Sequence, residues 1–210
     1  MTAARIAALR TAIAALEAQR GLLGDEALLL AVAPLRAQLA ALQPVPPQLR
    51  LVSVLFLDVV GSTALTGRLD PEEISAVLDG ALRRYAAVLQ AQGGRVLEYA
   101  GDSVLAAFGV DGVQEDDAER AVKAGLALLE SAREQAATMQ ARVGADGLQV
   151  RVGVHSGIVL PVSGLGGRDG IRGVTVHIAA RMEQTAPPGS LRISHDTWRL
   201  VQGLFEMQAQ

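Results

Sequence analysis

Apolar positions in the first forty residues recur every three or four places. Ile6, Leu9, Ile13 and Leu16 fall on one helical face, and Leu28, Val32, Leu35, Leu39 and Leu42 form a second stripe. Gly21 and Gly24 interrupt the two, and Asp25 can cap the second helix. Pro34 must either start that helix or kink it. The pattern predicts an α-helical hairpin over residues 1–43 that packs on itself or on a partner chain. A plain surface extension is the alternative for stripes this short. Gln43-Pro44-Val45-Pro46-Pro47 then begins a stiff, proline-rich linker over 44–50, which marks a domain boundary.

Beyond the linker the period changes from helix-like to strand-like. Leu51–Leu57 reads as a buried strand ending at Asp58. Asp70-Pro71-Glu72-Glu73 joins an N-cap acid, a first-turn proline and first-turn acids, so a helix starts there and runs to about Gln92. Arg95–Tyr99 and Val104–Phe108 form a hairpin around Ala100-Gly101-Asp102-Ser103. Glu115–Gln140 is amphipathic, with Ala118, Val122, Leu126 and Leu129 on one side. Leu148–His155 alternates as a strand, and Ile158–Val162 reads as its hairpin partner across Ser156-Gly157. A glycine-rich loop follows over Ser163–Arg172, then a helix over Val174–Ala186, a strand over Ser190–Ser194 and a last helix from His195. The order β-α-β-β-α-β predicts an α+β fold of the ferredoxin-like split βαβ type, a sandwich with its helices on one face of the sheet.

Composition narrows the function classes. Half of the 210 residues are apolar and only 3% are aromatic, so the core is built from Leu, Val, Ile and Ala. The net charge of −3, with acids and bases interspersed, argues against a nucleic-acid binder. The absence of cysteine excludes disulfides and thiolate metal sites. No stretch approaches the ~18 apolar residues of a membrane span, and Arg5, Arg10 and Glu17 interrupt any signal-peptide core. A cytoplasmic protein is expected.

Two acids stand out for their placement. Asp58 ends an apolar strand, before Val59-Val60-Gly61-Ser62-Thr63, a turn whose backbone N–H groups can meet an anion. A carboxylate there can hold a divalent ion that also touches phosphate, or it can simply cap the next helix. Asp102 sits at a hairpin tip, where turn geometry alone also favours Asp. The split βαβ order makes the first strand and this hairpin neighbours, so the two acids can share a pair of cations. Two cations stabilise both the attacking and the leaving oxygen of a phosphoryl transfer.

Four segments carry a specific resemblance: LFLDVVGSTAL, GGRVLEYAGDSVLAAF, LQVRVGVHSG and GVTVHIAARMEQTAPPG. In this order and spacing, from about Leu51 to the C-terminus, they resemble the class III adenylyl and guanylyl cyclases. The resemblance implies conversion of a nucleoside triphosphate to its 3′,5′-cyclic monophosphate and pyrophosphate. Asp58 and Asp102, with Val59, match the site of two Mg2+ or Mn2+ ions, and Gly61, Ser62 and Thr63 match the phosphate turn. Arg151 matches an arginine contacting the phosphates, and Arg181 one that steadies the pentacoordinate transition state, where a guanidinium fork fits two phosphate oxygens. A surface charge paired with an acid is the plainer reading of Arg181. His177 stands where the family usually has a ribose-orienting asparagine.

Glu98 and Gly170 match the positions that read the purine. A carboxylate accepts from both N1–H and the 2-amino group of guanine, so the local chemistry leans to GTP over ATP, unless Glu98 is only an exposed strand charge. The resemblance further implies a homodimer whose sites are each built from two chains. The family's closing strand pair would lie beyond Gln210, as would further C-terminal domains. The rival reading, a catalytically weak or inactive cyclase-like dimerisation module, draws on His177 and on the missing base-reading lysine. The hairpin lacks a diguanylate cyclase signature, and Gly164-Leu165-Gly166-Gly167-Arg168 lacks the ending of a P-loop. His155 and His195 have no metal-ligand spacing.

Overall fold

A computed structural model describes residues 2–42, 48–61, 69–143, 147–163 and 169–209. The chain divides into two compact units, residues 1–46 and 47–210. The first is helical: α1 (Thr2–Ala18), a short α2 (Arg20–Leu23) and α3 (Asp25–Leu42). Gly21 lies inside α2, and the break falls at Gly24, whose φ of 73° suits a residue without Cβ. Pro34 is accommodated within α3. Ile13 and Val32, one from each stripe, are buried, and Arg36 pairs with Glu17 at 2.7 Å. Leu22, Leu29 and Leu30 of this unit are left exposed.

The second unit contains β1 (Arg50–Val60), α4 (Pro71–Ala91), β2 (Arg95–Ala100), β3 (Ser103–Phe108) and α5 (Asp117–Val143). After them come β4 (Gln149–Ser163), β5 (Asp169–Arg172), α6 (Val174–Thr185), β6 (Leu191–Ile193) and α7 (His195–Leu200). The strand order is β2-β3-β1-β4-β5, antiparallel throughout, with β6 joining β4 in parallel. The capping acids work as their spacing predicts: Glu73 accepts a hydrogen bond from the Asp70 N–H at 3.1 Å, and Pro71 opens α4.

Alternation along β1 sorts the core into two faces. Leu55, Leu57 and Val59 pack with Tyr85 and Leu89 of α4 and with Ala121, Leu128 and Ala132 of α5. Val52, Val54 and Phe56 point the other way and cluster with Ala179 of α6. The expectation of helices on one face alone is thus corrected, because α6 covers part of the second face. Its approach needs two glycines. A Cβ at Gly153 would fall 2.0 Å from the Glu183 backbone nitrogen, and one at Gly157 would fall 2.7 Å from Thr175 Oγ1.

Gly157 also explains a second correction. The strand–turn–strand expected across Ser156-Gly157 is one unbroken strand, β4, paired with β1 from Arg50↔Val159 to Val60↔Gln149. The glycine there clears space for α6 rather than making a turn. Part of the glycine-rich segment is also strand, since Asp169–Arg172 pairs with β4 as β5. β1 itself continues past Asp58 to Val60. Residues 43–47 of the proline-rich linker and 164–168 of the glycine-rich segment lie outside the described residues.

Candidate active site

Three strands set the position of Asp58. The register places it directly opposite Ser103 of β3 and Arg151 of β4. Residues directly opposite in antiparallel strands share a face. The contacts follow from this: Ser103 Oγ donates to Asp58 Oδ1 at 2.9 Å, and Arg151 Nη2 donates to Oδ2 at 2.5 Å. The carboxylate remains about one-fifth exposed, so it is held but accessible.

Asp102 precedes Ser103 in the two-residue turn joining β2 and β3, with Gly101 taking a φ of 64°. It therefore stands one residue from the hydroxyl that bonds Asp58. Asp102 is half-buried and has no hydrogen bond or ion pair among the described residues. No cluster of three or more His, Cys, Asp or Glu suited to a metal occurs among those residues. The donor set available is oxygen only: two carboxylates, with Val59 able to contribute only its backbone carbonyl. Hard cations of the Mg2+ and Mn2+ type fit such a set, with remaining positions left to phosphate or water.

Arg151 is shared. Its Nη2 also lies 3.3 Å from Glu183 Oε1, a buried carboxylate on the inner side of α6. The hydrogen bond that Arg151 donates to Asp58, reinforced by the charge of Glu183 and opposed by burial, holds the guanidinium more firmly protonated than usual. Burial raises the Glu183 carboxyl above its ordinary value; Arg151 opposes that rise and Asp58 adds to it.

Sequence reasoning missed Glu183. The available signal was its phase: Thr175, Ala179 and Glu183 form the buried stripe of α6, and an acid on such a stripe needs a cation.

His177 and Arg181 occupy the opposite side of the same helix. They are four residues apart, both exposed, with Val174 beside them at 68% exposure. Neither side chain has a hydrogen bond or ion pair among the described residues, so Arg181 is not the acid-paired surface charge that a plain helix would show. Glu183 and Arg181 differ by two positions, about 200° around the helix. The structure therefore brings Asp58, Ser103, Arg151 and Glu183 together, with Asp102 next to them, and turns Arg181 and His177 away.

Glu98 is exposed on the edge strand β2, just after a register shift between Val96 and Glu98. Gly170 pairs with Val162 in β5. Glu98 lies directly opposite Leu105, which joins the apolar cluster on the α6 face of the sheet, as does Ile171, the chain neighbour of Gly170. Gly61 follows β1 with a φ of 96°; Ser62 and Thr63 lie outside the described residues. His155 is bonded to Ser194 Oγ at 2.7 Å and His195 stacks on Trp198, so neither histidine joins this group.

The family described as the adenylate and guanylate cyclase catalytic domain matches residues 45–210. The chain belongs to this cyclase family. An adenylate cyclase of Streptomyces coelicolor is 31% identical over 144 residues, covering 69% of this chain and 32% of that protein. Among solved structures, the adenylyl cyclase CyaB of P. aeruginosa aligns at 27% identity with a TM-score of 0.70, covering 75% of this chain and 83% of that one. The guanylate cyclase domain of RhGC from Catenaria anguillulae, solved in complex with GTP, aligns at 27% identity with a TM-score of 0.68, covering 77% and 87%. The chain spans between 14% and 32% of the length of the curated relatives it matches. No helix among the described residues is long and apolar enough to cross a membrane.

Proposed function

We propose that this cyclase domain converts a purine nucleoside triphosphate, GTP in preference to ATP, to the 3′,5′-cyclic monophosphate and pyrophosphate. It does so in a homodimer, with two divalent cations per site. The observation that carries the reading is the junction of β1 with the β2–β3 turn, where Ser103 bonds Asp58 and Asp102 adjoins it.

Asp58, Asp102 and the Val59 carbonyl would hold Mg2+ or Mn2+ at that junction. When bound, the cations supply neutralisation of the triphosphate charge and acidify the ribose 3′-hydroxyl. The chain's own residues do the rest. The 3′-oxygen attacks the α-phosphorus as the bond to the bridging oxygen of pyrophosphate breaks, and the hydroxyl proton passes to water. Arg151, already beside the acids, meets the phosphates. The exposed Arg181 of a second chain spreads its fork over the charge that accumulates at the α-phosphorus. His177, on the same face of α6, donates one hydrogen bond to the ribose. Glu98 accepts from N1–H and the 2-amino group of guanine, and Gly170 leaves room beside the base. The exposed leucines of the N-terminal helices support reading residues 1–43 as an extension that serves the pairing of chains. With no membrane-spanning helix among the described residues and no cysteine in the chain, we read the domain as cytoplasmic.

The test is pyrophosphate release with Mn2+ and each nucleoside triphosphate in turn. GTP should turn over fastest, ATP more slowly and pyrimidines negligibly. Glu98→Lys should move the preference towards ATP, because an ammonium donates to an adenine ring nitrogen. An unchanged GTP/ATP ratio would remove Glu98 from base reading, and silence with every nucleotide at high protein concentration would remove the enzyme assignment.

A further inference from the structure

Arg151 lies between two carboxylates and satisfies one of them. Nη2 makes an aligned hydrogen bond of 2.5 Å to Asp58, and its 3.3 Å approach to Glu183 Oε1 is an ion pair. Two atoms are left over on the α6 side. Arg151 Nε and Glu183 Oε1 are both buried with no hydrogen-bond partner among the described residues. An unpaired buried donor or acceptor is costly, and here a donor and an acceptor on adjacent groups are orphaned together. A small movement of the guanidinium towards α6 brings both nearer to pairing, and the same movement frees Asp58. The inner stripe of α6 is otherwise Thr175 and Ala179, so a purely structural need there is met by small side chains. A carboxylate on that stripe is justified by the cation it receives.

Resting on the reading of Asp58 as a cation ligand, we propose that Glu183 is a positioning residue for Arg151. It takes over the guanidinium when Asp58 engages a divalent cation. In the metal-free chain Arg151 occupies Asp58 Oδ2 and so competes with any cation for it. Glu183 weakens that competition by offering a second anion within the same reach. The coupling has a definite sign: Arg151 opposes metal binding, and Glu183 favours it only by way of Arg151.

Binding of Mn2+ alone to the full chain, read as loss of the free-ion electron paramagnetic resonance signal, separates the possibilities. Asp58→Asn should remove binding at this site; binding left intact would overturn the cation-ligand reading, and the inference with it. With that control in hand, Glu183→Gln should weaken Mn2+ binding about fivefold, the size of a modest coupling between neighbouring sites. Arg151→Met should tighten binding by a similar factor, a gain that no unfolded chain can imitate. In the Arg151→Met background, Glu183→Gln should have no further effect. An equal loss in both backgrounds, no loss in either, or an Arg151→Met chain that binds no tighter would overturn the role of Glu183 while leaving Asp58 as a ligand.

Discussion

Asp58 has a hydroxyl on one oxygen, a guanidinium on the other, and a second carboxylate one residue beyond that hydroxyl. Such a group is expensive to arrange as a mere helix cap, since a cap needs only a nearby backbone N–H. On the cyclase reading, Asp58→Asn and Asp102→Asn should each lower kcat by about 10³-fold or more, several kcal/mol of lost charge stabilisation. Far-UV circular dichroism should stay native, because asparagine keeps the shape and can still accept from Ser103. Residual turnover above about one-hundredth in either variant would take that residue out of the metal site. The turn position of Asp102 was legible in its local pattern, whereas Asp58 stands two residues inside the end of β1 rather than at the strand end its apolar run suggests. The ion pair between Asp58 and Arg151 was not legible, because it depends on the register of β1 against β4 and no local pattern encodes that register.

Elements whose signals are local were the ones read well, such as the Asp70-Pro71 start of α4 and the Gly101-Asp102 turn; of the stripe expected on α5, Ala118, Val122 and Leu129 are buried but Leu126 is exposed. The failures came where a glycine served a tertiary purpose. Ser156-Gly157 looks like a turn, yet β4 runs straight through it because α6 must approach the sheet there. Glycine therefore has opposite consequences at different sites, and this can be measured. At Gly153 an added Cβ meets the α6 backbone at 2.0 Å, which no rotamer change relieves. Gly153→Ala should cost about 1–3 kcal/mol in urea unfolding, the usual range for overpacking. Gly80, inside α4, has nothing within 4 Å of the same added atom. Gly80→Ala should therefore stabilise by about 0.5–1 kcal/mol through helix propensity. If the two substitutions shifted stability in the same direction, the close seating of α6 on β4 would be wrong.

At the scale of the whole molecule, the rotation of α6 matters most. Its inner stripe delivers Glu183 to the Asp58–Arg151 pair, while Arg181, about 200° around the helix from Glu183, stands exposed, as does His177, neither with a partner among the described residues. Within one chain Arg181 and the acids therefore face different ways, and on the proposed reading a second chain supplies the arginine that each site uses. Mixing tests this directly. Asp58→Ala and Arg181→Ala chains should each be inactive alone. Mixed in equal amounts and allowed to exchange, about half the dimers are hybrids, and each hybrid holds one site with every group present and one with both groups missing. Pyrophosphate release should therefore return to about a quarter of the unmutated rate per chain, and should fall on dilution as the dimer dissociates. If each site were built within one chain, every hybrid site would carry a defect and the mixture would stay as inactive as its parts.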